Sequence, residues 1–205
     1  VFNAGSTLET GNQSVGVYSR QAGTIDINTT NDIKIGDNSF GFVFKNGGIL
    51  NTASTAAKVE LGDSSTYIHA EGPSRITNNL DILMKSNASN GFVILNGDLT
   101  NNGAITGISG TGNTGIYSEN GIVSNKGNIT LGDSLVVLNA DNSVNTTASN
   151  YSIGIYGINS KITNGAGIDI NVGKNGVGIY SDSSEANIDN QPVIINNGNI
   201  KSASN

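Results

Sequence analysis

The stretch GIYSENGIVSNKGNITLGDS (115–134) decides how the chain is read. Three short apolar phrases, the third with its apolar residues on alternate positions, are separated by polar corners rich in Asn and Gly. Alternation at period two is the strand signature, and Asn, Gly and Ser supply turns. Twenty residues holding three such strands make neither a hairpin nor a helix; they make one lap around a narrow core. Working outward, the opening phrase returns as GVYS at Gly16, GFVF at Gly41, TYIH at Thr66, GFVI at Gly91, LVVL at Leu135, GIYG at Gly154 and GIYS at Gly178. The units are therefore 19–25 residues long. A fixed period of this size is the mark of a solenoid.

A second strand follows as TIDIN (24–28), GILN (48–51), SRITN (74–78), GIVSN (121–125) and SKITN (160–164). A third reads NDIKIGD (31–37), AKVELGD (57–63), GNITLGD (127–133) and GIDINVG (167–173), placing Ile33 and Ile35, Val59 and Leu61, Ile129 and Leu131, and Ile168, Ile170 and Val172 inward. Eight Asn-Gly pairs taken alone suggest two-residue hairpins and an antiparallel sheet. A propeller blade, however, needs about 40 residues and four strands. A 24-residue coil traces roughly 80 Å of contour, enough for a three-sided turn, and eight coils stacked about 4.8 Å apart give a rod of order 40 Å. The expected fold is all-β: a right-handed single-stranded parallel β-helix of about eight coils, forming one segment over 1–205 with partial coils at 1–13 and 201–205. The opening VFNAGSTLET lacks a signal-peptide pattern and reads as the start of a piece of a longer protein.

Composition agrees. The 205 residues include 32 Asn and 28 Gly but 2 Pro, no Trp and no Cys. With 10 basic against 16 acidic residues the net charge is −6, so no cationic track is offered to nucleic acid. The apolar runs are far shorter than the roughly 20 residues that span a bilayer as a helix. Lack of Cys removes disulfides and thiolate chemistry.

Stacked coils turn repeat positions into columns. The residue after each phrase start (Val17, Phe42, Tyr67, Phe92, Ile116, Val136, Ile155, Ile179) is expected inside. A second column, Asn28, Asn51, Asn78, Asn101, Asn125, Asn145, Asn164 and Asn190, is expected to form a corner ladder of stacked amides. Next to the inward column, strand alternation points Tyr18, Val43, Ile68, Val93, Tyr117, Val137, Tyr156 and Tyr180 outward. Tyr18, Tyr117, Tyr156 and Tyr180 are the candidate binding residues, because stacked phenols suit sugar faces and partner side chains. The same stripe also reads as a stabilising ladder, or as a face covered by a loop or neighbouring domain.

Other chemistry finds little support. His69, the lone His, is expected inward or at a corner as a structural residue. Arg20 and Arg75 lie in non-adjacent coils on different sides. GDNS (36–39), GDSS (62–65) and GDSL (132–135) read as turn chemistry rather than calcium sites, and SDSSE (181–185) as a solvated loop. With no triad, phosphate loop or metal cluster in the pattern, no enzyme activity, metal or cofactor is expected.

The units GIYSENGIVSNKGNITLGDS (115–134), GIYGINSKITNGAGIDINVGKNG (154–176) and GIYSDSSEANIDN (178–190) resemble passenger repeats of large autotransporter adhesins, particularly of the fusobacterial kind. The resemblance covers roughly residues 14–200. It implies a monomeric β-helical rod on the extracellular face of a Gram-negative outer membrane, exported through a barrel outside this chain. It implies attachment to host receptors or glycans and to other bacteria, as a virulence factor. Units over 41–100 depart from it by carrying Val or Ile in place of Tyr, and the unit over 135–153 is short. A passive stalk of the same rod, and more distantly a polysaccharide-acting β-helix enzyme, are the alternative functions.

Overall fold

A computed structural model describes residues 1–183 and 193–203; the stretch SEANIDN within the third resembling unit, including Asn190 of the expected ladder, lies outside the described residues. The chain is a β-solenoid of three parallel sheets. Sheet I stacks Val15–Ser19, Phe40–Phe44, Thr66–Glu71, Asn90–Leu95, Thr114–Glu119, Ile153–Ile158 and Val177–Asp182. Sheet II stacks Thr24–Ile27, Gly48–Thr52, Ser74–Asn78, Asp98–Asn101, Ile122–Asn125, Lys161–Asn164 and Val193–Asn196. Sheet III runs from Leu8–Thr10 through Ile33–Ile35, Lys58–Leu61, Asp81–Met84, Ile105–Gly107, Ile129–Leu131 and Asp169–Val172 to Asn199–Ser202. Each strand pairs in parallel with the corresponding strand one turn away, and among the described residues sheets I and II each hold 7 strands.

The rod therefore has about seven turns, not eight. LVVL (135–138) is not a coil. Thr114–Glu119 pairs directly with Ile153–Ile158, while residues 135–151 leave the rod as an arm closed by antiparallel bridges from Leu135 to Asn150 and Leu138 to Val144. Val136 and Val137 thus belong to neither column assigned to them, and Asn145 lies in the arm. Apolar alternation alone cannot tell a strand that meets a neighbouring coil from one that turns back on itself.

A second correction is a one-residue slip. Phe42 is in register with Ile68, and Ile68 with Phe92, so Ile68, not Tyr67, occupies the inward column. Tyr67 stands where the neighbouring coils carry Gly41 and Gly91. Its ring is still buried, edge-on between Phe42 and Phe92 at centroid distances of 5.8 Å each. That column favours glycine because a Cβ on Gly115 or Gly154 would lie 2.5 Å from the carbonyl oxygen of the next turn, at Gly154 and Gly178 respectively.

The core is a stack of like on like: Phe42, Ile68, Phe92, Ile116 and Ile155 from sheet I, Leu50, Ile76, Leu99, Val123 and Ile162 from sheet II, Ile33, Val59, Ile82, Ile105, Ile129 and Ile170 from sheet III, all buried. Each contributes about 1.5–3 kcal/mol by leaving water.

Corners carry their own ladders. Asn101 receives a hydrogen bond from the Asn78 amide (2.9 Å), donates to Asn125 (3.0 Å), and Asn125 donates to Asn164 (3.0 Å), which donates to Asn196 (2.9 Å). Asn28 and Asn51 are not members. Asn51 is in register with Asp26 and Thr77 on the outer face, one residue before the ladder position. The Gly-Asp-x-Ser corners prove to be a joint between turns. The Asn12 side-chain oxygen accepts the Asp37 N–H (2.9 Å), Asp37 accepts that of Asp63 (2.8 Å), and Asp63 accepts that of Asn87 (3.1 Å). Ser39, Ser65 and Ser89 bury their hydroxyls and donate them to the carbonyls of Gly11, Gly36 and Gly62 one turn back. Asp37 and Asp63 thus have structural employment, and the hydrogen bonds from Ser86 and Ser64 hold the Asp63 carboxyl below its usual range.

Candidate functional site

Sheet I presents its outer face in columns fixed by the register. The one beside the inward column reads Tyr18, Val43, His69, Val93, Tyr117, Tyr156 and Tyr180. Ile68 leaves the predicted outward column and His69 enters it, a direct result of the slip at Tyr67. His69 is therefore on the outer face rather than inward. Its Nε2 lies 2.9 Å from the Glu71 carboxylate, which also takes the Lys45 ammonium, and its ring stands edge-on to Phe40 at 5.8 Å. The Lys45 and His69 contacts hold Glu71 below the usual carboxylate range.

The structure brings three of the four candidate tyrosines together. Tyr117 and Tyr156 meet edge to face at 5.2 Å between centroids, Tyr156 and Tyr180 at 4.8 Å. Tyr18 stands apart, separated from them by Val43, His69 and Val93, and is 56% exposed. Tyr180 is 43% exposed, whereas Tyr117 and Tyr156 are half-buried between their neighbours. Burial raises the Tyr117 and Tyr156 phenols above their ordinary range, with the Glu119 carboxylate adding to the effect on Tyr117. The Tyr117 hydroxyl reaches Glu119 at 3.3 Å. The three rings form one continuous aromatic row on the outer face of sheet I.

Two features escaped the sequence reading. One is the arm, whose Leu135 and Leu138 are 48% and 55% exposed. The other is a longitudinal groove at the corner between sheets I and II. One section, about 560 Å³, is lined by Thr24, Ile49, Arg75 and Asp98 among others; a second, about 250 Å³, by Asp98, Ile122 and Lys161, and Asn96, Gly97 and Asp98 join the two. A signal for the groove exists in the sequence: Asn96, Asn120 and Asn159 each take the corner with a left-handed backbone, at φ 63°, 52° and 49°, as Gly47 and Gly72 do at 84° and 76°. Arg75 lines this groove on sheet II while Arg20 follows the strand Val15–Ser19 of sheet I, so the two arginines do not converge.

No protein-family model, curated protein or solved structure matches the chain.

Proposed function

We propose that this chain is an adhesive segment of a bacterial surface rod, an autotransporter passenger that holds host-cell receptors or glycans, and other bacteria, at the extracellular face of the outer membrane. The observation that carries the reading is the Tyr117–Tyr156–Tyr180 stack, which lines up three aromatic rings, 5.2 and 4.8 Å apart between centroids, along one face of the β-solenoid. A rod lengthens by adding coils and so displays a site at a distance from its anchor. Multivalent presentation of weak aromatic contacts along such a face supplies avidity. The test is saturable binding of the folded chain to epithelial cells, immune cells and partner bacteria, with free sugars and amino acids as competitors. Replacing Tyr117, Tyr156 and Tyr180 by Ser is expected to weaken competable binding at least tenfold, and binding unchanged in the folded triple variant overturns the assignment.

A passive stalk is the second reading. It is favoured by the continuity of the inner ladders from turn to turn, which needs no ligand to account for it. A folded chain that binds none of these surfaces makes the segment a spacer.

A further inference from the structure

The chain contains eight Asn-Gly dipeptides, at 46–47, 90–91, 96–97, 102–103, 120–121, 164–165, 175–176 and 197–198. In such a pair the glycine nitrogen can attack the side-chain carbonyl carbon of the asparagine, since no Cβ shields it. A C–N bond closes a five-membered imide, the side-chain nitrogen leaves as ammonia, and water then opens the ring to aspartate or isoaspartate. The attack needs a glycine N–H that is not already donating and a carboxamide free to turn, because breaking a hydrogen bond adds to the barrier.

The fold sorts the eight by these two conditions. Four glycine amides are occupied: Gly47 donates to the Glu71 carbonyl (2.7 Å), Gly121 to the Ser160 hydroxyl (3.2 Å), Gly165 to Asn125 (2.8 Å) and Gly176 to Gly173 (3.1 Å). The Asn102 carboxamide is held by Asn79 at 2.8 Å, and Asn90 lies within a strand with its side chain toward Thr66. At Asn96-Gly97 and Asn197-Gly198, neither the carboxamide nor the glycine N–H has a partner among the described residues. Asn197 belongs to the last described turn, but Asn96 is in the middle of the rod.

Register explains the opening at Asn96. Ser74, Gly97, Gly121 and Ser160 are successive members of one column. The Gly121 N–H finds the hydroxyl of Ser160 one turn on, whereas one turn on from Gly97 stands Gly121, which has no side chain. Asn96 is exposed and joins the two sections of the corner groove, so water and hydroxide reach it.

We propose that Asn96-Gly97 is the principal spontaneous deamidation site of the rod, with Asn197-Gly198 second. The product places a new carboxylate in the groove beside Asp98 and opposite the cationic Arg75 and Lys161. The isoaspartyl form also adds one carbon to the backbone at a corner that a single left-handed residue turns, loosening that corner alone. The experiment incubates the folded 205-residue chain and a denatured control at mildly alkaline pH and maps each pair by peptide mass spectrometry. The denatured chain is expected to react at all eight pairs at similar rates. In the folded chain Asn96 is expected to lead and Asn120 to lag it roughly tenfold, as loss of one hydrogen bond implies. Ser160→Ala frees the Gly121 N–H and is expected to bring Asn120 toward the Asn96 rate while leaving Asn46 unchanged. Equal rates at Asn96, Asn120 and Asn46 in the native rod overturn the proposal, as does a folded Ser160→Ala chain in which Asn120 stays slow. If that variant does not fold, the native ranking decides.

Discussion

Tyr67 meets Phe42 edge to face, with centroids 5.8 Å apart and planes inclined at 80°, and its hydroxyl is buried without a hydrogen-bond partner among the described residues. A glycine position has been filled by the largest aromatic in the core, and the ring is accommodated at the expense of an unsatisfied O–H. Tyr67→Phe keeps the stack and removes the orphan. It is expected to leave stability unchanged or raise it by about 1 kcal/mol, read from the urea midpoint. A clear loss of stability would mean that the hydroxyl has a partner in solution.

The amide ladder predicts the opposite behaviour at Asn101. Its side chain accepts from Asn78 and donates to Asn125 and to the Gly103 carbonyl, all within the interior. Asn101→Ala orphans three buried groups and is expected to cost on the order of 2–4 kcal/mol. Asn51→Ala, on the outer face, is expected to stay within about 0.5 kcal/mol of the native chain. Equal losses at both positions would show that the ladder carries no special share of stability.

These two positions also mark where the sequence was legible. The coil period, the three strands and the inward residues of sheet III follow from alternation, because burial on one face leaves a period of two in the chain. The slip at Tyr67 does not follow, since the glycine that sets the phase elsewhere is missing from TYIH and a neighbouring apolar residue fits as well. The ladder is half legible: the spacing picks out Asn78, Asn101, Asn125 and Asn164, whereas Asn28, Asn51 and Asn145 only share it. A better signal is Asn-x-Gly, because Asn101, Asn125 and Asn196 each donate to the carbonyl of a glycine two residues on. Of the candidate binding residues, the outward direction of the tyrosines was readable, but their separation into a trio and an isolated Tyr18 depended on which coils are neighbours in space.

The arm is expected to be dispensable to the rod. The Leu135 and Asn150 backbones bond each other at 2.9 and 2.7 Å, and Ser152 resumes the corner by donating its N–H to the Ser134 hydroxyl at 2.9 Å. Replacing residues 136–149 by a two-residue Asn-Gly turn should move stability by no more than about 0.5 kcal/mol, and limited proteolysis should cut first within 139–149. A large loss on excision would assign the arm a packing role.

Acid and base are expected to weaken the rod by separate routes. The carboxyls of Asp63, Glu71 and Asp169 lie below their ordinary range through hydrogen bonds, with Lys45 and Lys201 the first causes for the last two. A group depressed in the folded state stabilises it above the unfolded pKa, about 4, and that stability is lost as pH falls further. Tyr117 and Tyr156 are raised, chiefly by burial, so their contribution is complete below about pH 10 and is lost as pH rises beyond it. Unfolding midpoints should therefore be flat between about pH 5 and 9 and fall on both sides. A slope through neutrality would contradict this account.

The strand-to-strand bonds of all three sheets, and the Asn, Asp and Ser bridges between corners, run along the rod axis, each joining one turn to the next. A tether pulled lengthwise under flow thus loads a row of bonds that open one lap at a time instead of shearing together. Each lap released would pay out roughly 80 Å of slack from about 24 residues at ~3.3 Å apiece. Such a rod behaves as a mechanical fuse: its outermost turn yields and dissipates the load while the turns beneath keep their shape, and single-molecule pulling would record the yielding as evenly spaced steps.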